Sequence, residues 1–360
     1  MFIKNPFPDA FGLDIGDLSL KLVQLTKIKN WSNGDHFKIK YSNVIPLPPG
    51  YIVNGEIQQP EMVRKKLMQL LGKEGVGKKI TSPWVVADLP EPQTFLTSIE
   101  FNLLPEQITR EDVEYQCKKH LPFDLEEAYI DYQIIDTKNN PLTTRILIGA
   151  VPKKISDAYT YLLESAGLQP LALEIEALAL ARALADDSVL GAHAILDLGA
   201  TRSAIIIYDK GGVRFSTSIN FSGELITTAL QQELKLEYKQ ADDLKIKNGL
   251  NYDKECPRYL KIVDELVNNL IADIKKILTY YQNHYSFTAE IEQISLCGGM
   301  TEMQNLHATI SRRLKIRCVP GTAWSNIKQE SINDNLKKNG LTLVSATGLA
   351  MRAALNPYTE

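Results

Sequence analysis

The strongest constraint on the fold is a pattern that occurs twice: a short apolar run followed by Asp, one apolar residue and Gly. The copies lie in residues 11–21 and 194–203, which we call the first and second hairpins. Each apolar run predicts a buried strand, and a second β-rich run follows each Gly. The turn would expose N–H groups to phosphate, and the Asp could hold hydrated Mg²⁺. Because the copies start 183 residues apart, they predict two facing hairpins that hold a nucleotide between them.

Length and charge narrow the class of protein further. A chain of 360 residues is expected to split into two or more domains. Its hydrophobic share of 44% and charged share of 23% are typical of a globular protein in water. The formal net charge of −3 gives no electrostatic reason to expect broad nucleic-acid binding.

The cysteines, histidines and apolar runs bear on the compartment and on metal binding. Four cysteines without a C-x-x-C pair favour a reducing compartment, and five scattered histidines predict no structural zinc. We find no signal-peptide pattern at the N-terminus and no uninterrupted apolar run long enough to span a membrane. We therefore expect a cytoplasmic protein that would contact a membrane only through a partner.

Residues 91–152, which we call the insert, differ in composition from their surroundings. We predict a strand at Phe95–Phe101, a helix from Pro105 to about His120, and strands at 129–136 and 145–151. This order of strand, helix, strand and strand is small but sufficient for an inserted module.

Other local signals lie outside the insert. Asn54-Gly55 predicts a tight turn, and the helix before Gly167 is expected to end there, with Gly167 as its C′ residue and Pro170 as a stop. Apolar residues at steps of three or four predict one long amphipathic helix over 257–284. A buried strand from Ile291 is expected to lead into a glycine turn at 297–300.

With these features in view, the chain resembles the actin, hexokinase and DnaK superfamily. More narrowly, it resembles the PilM family of type IV pilus assembly proteins, which are actin-like relatives of the division protein FtsA. The narrower resemblance rests on FGLDIGDLSLKLVQL (11–25), on HLPFDLEE (120–127) with Asp131-Tyr132, and on residues 148–182, which contain VPKK (151–154) and EIEALALAR (174–182).

The resemblance implies an α/β, actin-like (ribonuclease H-like, duplicated) fold with two lobes and four subdomains, including an insertion of the FtsA type. The implied boundaries are 1–90, 153–190 and 340–360 for subdomain 1A, 91–152 for subdomain 1C, 191–223 and 286–339 for subdomain 2A, and 224–285 for subdomain 2B.

The implied function is that of an ATP-binding, magnesium-dependent scaffold at the cytoplasmic face of the inner membrane. Members of the family capture the N-terminal cytoplasmic peptide of PilN in a groove between subdomains 1A and 1C. They thereby link the pilus motor to the alignment complex. We expect one wall of the groove at Leu20–Leu25 and the other in the insert. ATP hydrolysis is expected to be slow or absent, and the resemblance leaves self-association open.

Residue by residue, the resemblance implies phosphate binding by Asp14, Gly16, Ser19 and Lys21 in the first hairpin. Asp14 would hold Mg²⁺ through water, and Lys21 would meet phosphate oxygens. The alternative to phosphate binding is that Asp14 only forms the turn at the strand end and that Lys21 is a solvated strand residue. Asp17 departs from the family, which has a small neutral residue there. Two unit charges 4 Å apart repel by about 4 kcal/mol at an effective dielectric of 20, so Asp17 must turn away, join the metal shell or weaken nucleotide binding.

The remaining implied nucleotide contacts lie later in the chain. They are Asp197 (also a magnesium ligand through water), Gly199, Ala200, Thr201 and Ser203 in the second hairpin, Asp242 and Lys245 at the ribose and adenine, Gly298 and Gly299 at the adenine, and Gly348 at a helix crossing. Glu176 matches the position that orients the attacking water, with Glu174 as the fallback. The purely structural alternative for Glu176 is a carboxylate at a helix start, where the helix dipole favours it. For Asp242 and Lys245 the alternative is a solvated, charged helix face.

Two other functions stay open at this stage. One is a small-molecule kinase of the same superfamily, which needs an acceptor-activating Asp and a sugar pocket that we do not find in the sequence. The other is an FtsA-like, filament-forming division protein, which usually ends in an amphipathic membrane helix. Residues 354–360 are short and polar for such a helix.

Overall fold

The computed structural model describes residues 5–28, 36–74, 79–135, 143–185, 191–209, 211–252, 254, 256–285, 288–355 and 357–358. The last residue of the strand predicted at 129–136 lies outside this part of the chain, as do residues 356, 359 and 360 of the polar tail. The chain divides into two compact units. Unit 1 contains residues 1–183, 211–217 and 323–360, and unit 2 contains residues 184–210 and 218–322.

The strands are β1 (Phe11–Ile15), β2 (Ser19–Ile28), β3 (His36–Pro46), β4 (Ile52–Val53), β5 (Glu56–Ile57), β6 (Trp84–Leu89), β7 (Phe95–Phe101), β8 (Ala128–Ile135), β9 (Thr144–Pro152), β10 (Gln169–Ile175), β11 (Ala192–Leu198), β12 (Ser203–Asp209), β13 (Gly212–Ile219), β14 (Ile291–Cys297) and β15 (Arg317–Pro320). The α-helices are α1 (Pro60–Leu70), α2 (Arg110–His120), α3 (Lys153–Ser165), α4 (Glu176–Leu184), α5 (Gly223–Leu234), α6 (Tyr238–Asn248), α7 (Pro257–His284), α8 (Leu306–Leu314), α9 (Asp334–Asn339) and α10 (Val344–Ala354).

The main sheet of unit 1 has the strand order β10-β6-β1-β2-β3. Strands β10, β6 and β1 run parallel, whereas β1, β2 and β3 form antiparallel pairs. Parallel strands end at the same edge of a sheet. The ends of β1, β6 and β10 therefore bring Asp14, Asp88 and Glu176 to one edge, and this edge carries the candidate site.

Apolar side chains on both faces of this sheet form the core of unit 1. On one face, Leu67 of α1 and Leu163 of α3 belong to a buried cluster with Leu13 and Ala87. On the other face, Leu349 of α10 packs against Val86. Full burial of each such side chain stabilises the fold by about 1.5–3 kcal/mol.

Helix α10 also approaches α4 very closely. A Cβ atom at Gly348 would lie 1.9 Å from the carbonyl oxygen of Ala179. This is too short for any side chain, so the crossing of α10 and α4 requires glycine at position 348.

The prediction that Leu20–Leu25 form one wall of the peptide groove is wrong. Strand β2 pairs with β1 on one side and β3 on the other, so it offers no open edge. Leu20, Leu22, Val23 and Leu25 are all buried, because they belong to the core of unit 1.

The insert contains β7, α2, β8 and β9, in the predicted order. Strands β7, β9 and β8 pair as antiparallel neighbours. Val113 and Cys117 of α2 pack on Phe101, Ile146 and Ile148 of this small sheet. The insert therefore has a core of its own.

The start predicted for the helix of the insert is wrong. Pro105–Gln107 form a separate 3₁₀ turn, and α2 begins at Arg110. Thr109 caps α2 with extended backbone: its side-chain oxygen accepts from the Asp112 N–H at 3.2 Å, and its own N–H donates back to Asp112. These bonds from Thr109 lower the pKa of Asp112. This capping box outweighs the helix-starting preference of Pro105.

Two predictions about a turn and a helix end are confirmed. Asn54-Gly55 connects β4 to β5 as predicted, with positive φ at both residues. Helix α3 ends at Ser165, before Gly167 with φ of +75° and before Pro170, which lies inside β10. The proline is accommodated because β10 is the outer strand of its sheet and its pairing shifts register between Pro170 and Ala172.

In unit 2, strands β15, β14, β11 and β12 are neighbours in that order. β11 runs parallel to β14 and antiparallel to β12. The predicted long helix is confirmed as α7, whose buried face includes Val263, Leu270 and Tyr281. Among the helices described, none has an apolar stretch of the length and hydropathy that a bilayer crossing requires.

Candidate functional site

The first hairpin is the turn between β1 and β2. Asp14 lies opposite Lys21 in the strand pairing, and the Gly16 N–H donates to the Ser19 carbonyl at 3.0 Å. The Lys21 ammonium lies 2.8 Å from the Asp14 carboxylate, whose side chain is only 3% exposed. The hairpin therefore presents a buried carboxylate, a partly exposed cation and a closed backbone turn side by side.

Three buried carboxylates meet at the edge of the sheet next to this hairpin. Asp14, Asp88 and Glu176 each offer one oxygen, and these oxygens lie within 4.8 Å of one another. Asp88 is oriented by accepting the Ile15 N–H at 2.9 Å. Glu176 is the first residue of α4, where the helix dipole favours an anion. Like charges at this spacing repel by about 3–4 kcal/mol per pair at an effective dielectric of 20, so a cation would stabilise the cluster.

Asp17 turns away from the centre of the hairpin. Its two carboxylate oxygens accept the N–H groups of Asn54 and Gly55, at 3.2 and 3.1 Å. Asp17 is also buried. The sequence left three possibilities for Asp17: that it turns away, joins the metal shell or weakens nucleotide binding. The structure shows that it turns away.

Glu174, the fallback for the water-orienting residue, is engaged elsewhere. Its carboxylate binds Arg182 at 2.6 and 2.8 Å and Arg352 at 3.1 Å. Arg182 also donates to the Gly348 carbonyl, so this network joins β10, α4 and α10. A carboxylate held by two guanidinium groups is poorly placed to orient water, whereas Glu176 lies in the carboxylate cluster.

The second hairpin, between β11 and β12, closes in the same way as the first. The Gly199 N–H donates to the Arg202 carbonyl at 2.9 Å, and Asp197 lies opposite Ala204. The carbonyls of Gly199 and Ala200 accept the N–H groups of Gly223 and Glu224, so the turn rests on the start of α5. In the burial pattern, Ala200 and Thr201 are exposed and Ser203 is buried.

A glycine turn lies directly against this hairpin. Gly298 has φ of +86°, and a Cβ atom there would lie 2.4 Å from the Leu198 carbonyl oxygen and 2.6 Å from the Asp197 carboxylate. The Cys297 thiol contacts the same carboxylate at 3.6 Å. Gly299 begins a 3₁₀ turn at 299–302. Asp197, Gly298 and Gly299 are thus brought together.

Asp242 and Lys245 of α6 reach the same region through α5. Their side chains pair at 2.6 Å, and the Lys245 ammonium also donates to the Thr227 hydroxyl and the Gly223 carbonyl. Nearby, a hydrogen bond from the Tyr238 hydroxyl to Glu224 raises the pKa of Tyr238 to about 12. The predicted residues of unit 2 therefore form one polar surface around the second hairpin.

Sequence reasoning missed Asp88 and Thr227. The available signal for Asp88 was a carboxylate near the end of the apolar run Trp84–Leu89. Thr227 carries no local signal, because its role depends on the packing of α6 on α5.

The family model described as type IV pilus assembly protein PilM matches residues 12–354. The chain belongs to the PilM family. The predicted resemblance is thereby confirmed over nearly the whole chain. The kinase and the FtsA-like alternatives are not favoured, because the match is to the pilus branch.

Solved structures similar to this PilM-family chain confirm the actin-like α/β fold. One is titled "PilM-PilN type IV pilus biogenesis complex", with 20% identity, a TM-score of 0.80, and coverage of 97% of this chain and 99% of that chain. The ethanolamine utilization protein EutJ from Carboxydothermus hydrogenoformans has 13% identity, a TM-score of 0.55 and coverage of 97% and 91%. MreB 5 of Spiroplasma citri bound to AMPPNP has 12% identity, a TM-score of 0.52 and coverage of 95% of both chains.

Proposed function

We propose that this protein is an ATP-binding scaffold of the type IV pilus assembly complex that captures the N-terminal cytoplasmic peptide of PilN. The observation that carries the proposal is the family match over residues 12–354, together with two hairpins that close by the same backbone bond. A structure of similar fold is titled as a PilM-PilN complex, and another holds AMPPNP. On this proposal the protein works at the cytoplasmic side of the inner membrane, where it binds PilN and thereby links the pilus motor to the alignment complex.

The residues proposed as phosphate ligands lie in both hairpins. In the first hairpin the ligands would be Lys21, the Ser19 hydroxyl and the turn at Gly16. In the second they would be the exposed turn at Ala200–Thr201, with Ser203 beneath it. Asp242 and Lys245 would contact the ribose and adenine beside the glycine turn at Gly298 and Gly299.

Magnesium fits the carboxylate cluster. Mg²⁺ prefers oxygen ligands and usually keeps several waters while it bridges one or two carboxylates and phosphate oxygens. Asp14, Asp88 and Glu176 offer only oxygen atoms. For Asp197, in the second hairpin, a contact with magnesium through water stays a prediction. When bound, the ion would neutralise the charge of the phosphates and of the cluster.

Glu176 would orient a water toward the terminal phosphate. Its place in the carboxylate cluster would put it near the reacting group, but its carboxylate would then be shared with the ion. A carboxylate shared in this way is a weak general base. We therefore infer slow or absent hydrolysis, with ATP acting mainly as a structural ligand.

Among the residues that the structure describes, β8 is the last strand of the insert's sheet, so its outer edge could receive the peptide. The strand order of its sheet ends at β8, and this edge strand exposes Tyr132 and Ile134 on one face. Tyr129, on the opposite face of β8, is tied to α3: its hydrogen bond to Asp157 raises the pKa of Tyr129, and the Lys153 ammonium lies 5.7 Å from its ring. An extended peptide could add to such an edge by backbone hydrogen bonds, with alternate side chains contacting Tyr132 and Ile134.

Calorimetric titration with a synthetic N-terminal PilN peptide from the same organism, with and without ATP, tests this function. We expect binding by the unmodified protein and at least a tenfold loss of affinity in the double variant Tyr132→Ala and Ile134→Glu, because two anchor side chains are removed. Tyr115→Ala is the matched control, since Tyr115 is an exposed tyrosine on α2. Absence of peptide binding with or without ATP would remove the adaptor function, and equal affinity of the double variant would remove the site on β8.

A further inference from the structure

Asp17 links the first hairpin to the turn at Asn54–Gly55, which we call the 54–55 turn. Both oxygens of the Asp17 carboxylate accept backbone N–H groups of this turn, at 3.2 and 3.1 Å. Because these are charge-assisted hydrogen bonds to a buried carboxylate, they are stronger than ordinary neutral ones. Any displacement of residue 17 therefore acts directly on the 54–55 turn.

The other side of the 54–55 turn is held at the entry to the insert. The Gln93 side-chain amide donates to the Asn54 carbonyl at 3.0 Å. A Cβ atom at Gly55 would lie 2.5 Å from the ring of Pro90, so the turn and the residue before the insert are in close contact. The entry to the insert is thus fixed against the 54–55 turn.

The exit from the insert contacts the same turn. Helix α3 begins at Lys153, directly after the insert, and its Tyr159 hydroxyl donates to the Gly55 carbonyl at 3.0 Å. Tyr159 is 1% exposed, so this bond is shielded from water. Both chain connections of the insert therefore meet at two backbone residues whose N–H groups Asp17 holds.

We propose that Asp17 is a positioning residue that couples nucleotide binding at the first hairpin to peptide binding by the insert. This inference rests on the proposed function, because it concerns the regulation of the two sites proposed there. Phosphates bound at Gly16, Ser19 and Lys21 fix the residues on both sides of Asp17. Asp17 transfers this order to the 54–55 turn and, through Gln93, Pro90 and Tyr159, to the insert. By thermodynamic reciprocity the peptide changes ATP affinity by the same factor.

The first test is the PilN-peptide titration, performed with Mg²⁺ and either AMPPNP or no nucleotide. In the unmodified protein we expect the two dissociation constants to differ by at least about fivefold, the lower end of typical coupling between sites. Asp17→Ala should bring the ratio of the two dissociation constants to within about twofold of one. The affinity of this variant for AMPPNP should change by less than about threefold, because the Asp17 carboxylate binds the 54–55 turn and not phosphate. Gln93→Ala and Tyr159→Phe should each reduce the ratio in part.

Matched variants separate coupling from loss of stability. Thr109→Ala removes the cap of α2 inside the insert but touches no residue of the 54–55 turn, so it should keep the full ratio. Asp17→Asn keeps an oxygen acceptor of the same size and serves if Asp17→Ala does not fold; it should lower the ratio without abolishing it. A ratio of one in the unmodified protein, or a full ratio in the Asp17 variants, would overturn the coupling while leaving both binding functions intact.

Hydrogen exchange gives a readout that needs no peptide. Adding AMPPNP and Mg²⁺ should slow exchange of the amides at 54–57 and 95–101 in the unmodified protein and leave them unchanged in Asp17→Ala. Unchanged exchange in the unmodified protein at saturating AMPPNP, or equal slowing in Asp17→Ala, would overturn the inference even if peptide binding failed. Failure to bind AMPPNP would contradict the proposed function and, with it, the coupling.

Discussion

The two hairpins share a backbone turn but differ in the side chains that surround their aspartates. In each, the glycine N–H closes the turn by donating three residues ahead, to Ser19 in one case and Arg202 in the other. In the first hairpin the residue opposite Asp14 is Lys21, which forms an ion pair with it. In the second the residue opposite Asp197 is Ala204, and Asp197 contacts the Cys297 thiol and the backbone beside Gly298.

This difference indicates a division of labour. The first hairpin gathers charged groups, with Lys21 and three carboxylates near one another, and so suits a metal ion and phosphate oxygens. The second hairpin is lined mainly by backbone, with glycines at 199, 223 and 298 that keep side chains out. A repeated fold therefore need not repeat its chemistry.

The largest loss of stability should come from adding a side chain at the two turn glycines, Gly199 and Gly16. A Cβ atom at Gly199 would lie 2.4 Å from the Arg202 carbonyl oxygen, whereas one at Gly16 would lie 3.3 Å from the Ser19 carbonyl oxygen. We expect Gly199→Ala to destabilise the protein by about 3 kcal/mol and Gly16→Ala by about 1 kcal/mol. Thermal unfolding of the two variants measures this, and equal losses would show that the turns tolerate a side chain equally.

The next largest loss of stability should come from removing the ammonium group of Lys21. Lys21→Met leaves the Asp14 carboxylate buried without its ion pair, which should cost about 2–3 kcal/mol, less than a fully buried pair because Lys21 is partly exposed. Mg²⁺ should restore more thermal stability to this variant than to the unmodified protein, because the ion replaces the lost positive charge. The matched change on the other hairpin, Ala204→Met, should show no added Mg²⁺ dependence. A Lys21→Met variant indifferent to Mg²⁺ would count against a metal site in the cluster.

These contrasts show how far the sequence could be interpreted. The strand-end positions of Asp14 and Asp197 were predictable, because each Asp closes an apolar run two residues before a Gly. Asp88 was not, because its partner is the Ile15 N–H of a neighbouring strand. The pairing is absent from any local pattern.

The same limit explains the fold-level errors. Thr109 overrides Pro105 through a capping box. The orientation of Asp17 depends on a turn 37 residues away. Local patterns predicted the elements and the strand-end aspartates, whereas contacts between distant segments decided which way each side chain faces.

The smallest effect should come from placing an acid in the second hairpin where the first has Asp17. Ala200 occupies the equivalent position and is exposed. We expect Ala200→Asp to weaken ATP binding about tenfold, less than the unscreened repulsion because solvent screens an exposed charge. Ala200→Asn, which is similar in size but neutral, is the control. Equal ATP affinity of the Asp and Asn variants in a calorimetric titration would show that residue 200 does not face phosphate.

The most direct test of the account is ATP affinity measured by calorimetry with Mg²⁺ and with a chelator, for the unmodified protein, Asp14→Asn, Asp197→Asn and the double variant. We predict that Mg²⁺ strengthens ATP binding to the unmodified protein. In Asp14→Asn, the increase in ATP affinity caused by Mg²⁺ should be at least tenfold smaller. Asp197→Asn should weaken binding to a smaller extent, and the double variant should not bind ATP measurably. Mg²⁺-dependent ATP affinity that survives in the double variant would contradict the assignment of the two hairpins as the phosphate and metal site.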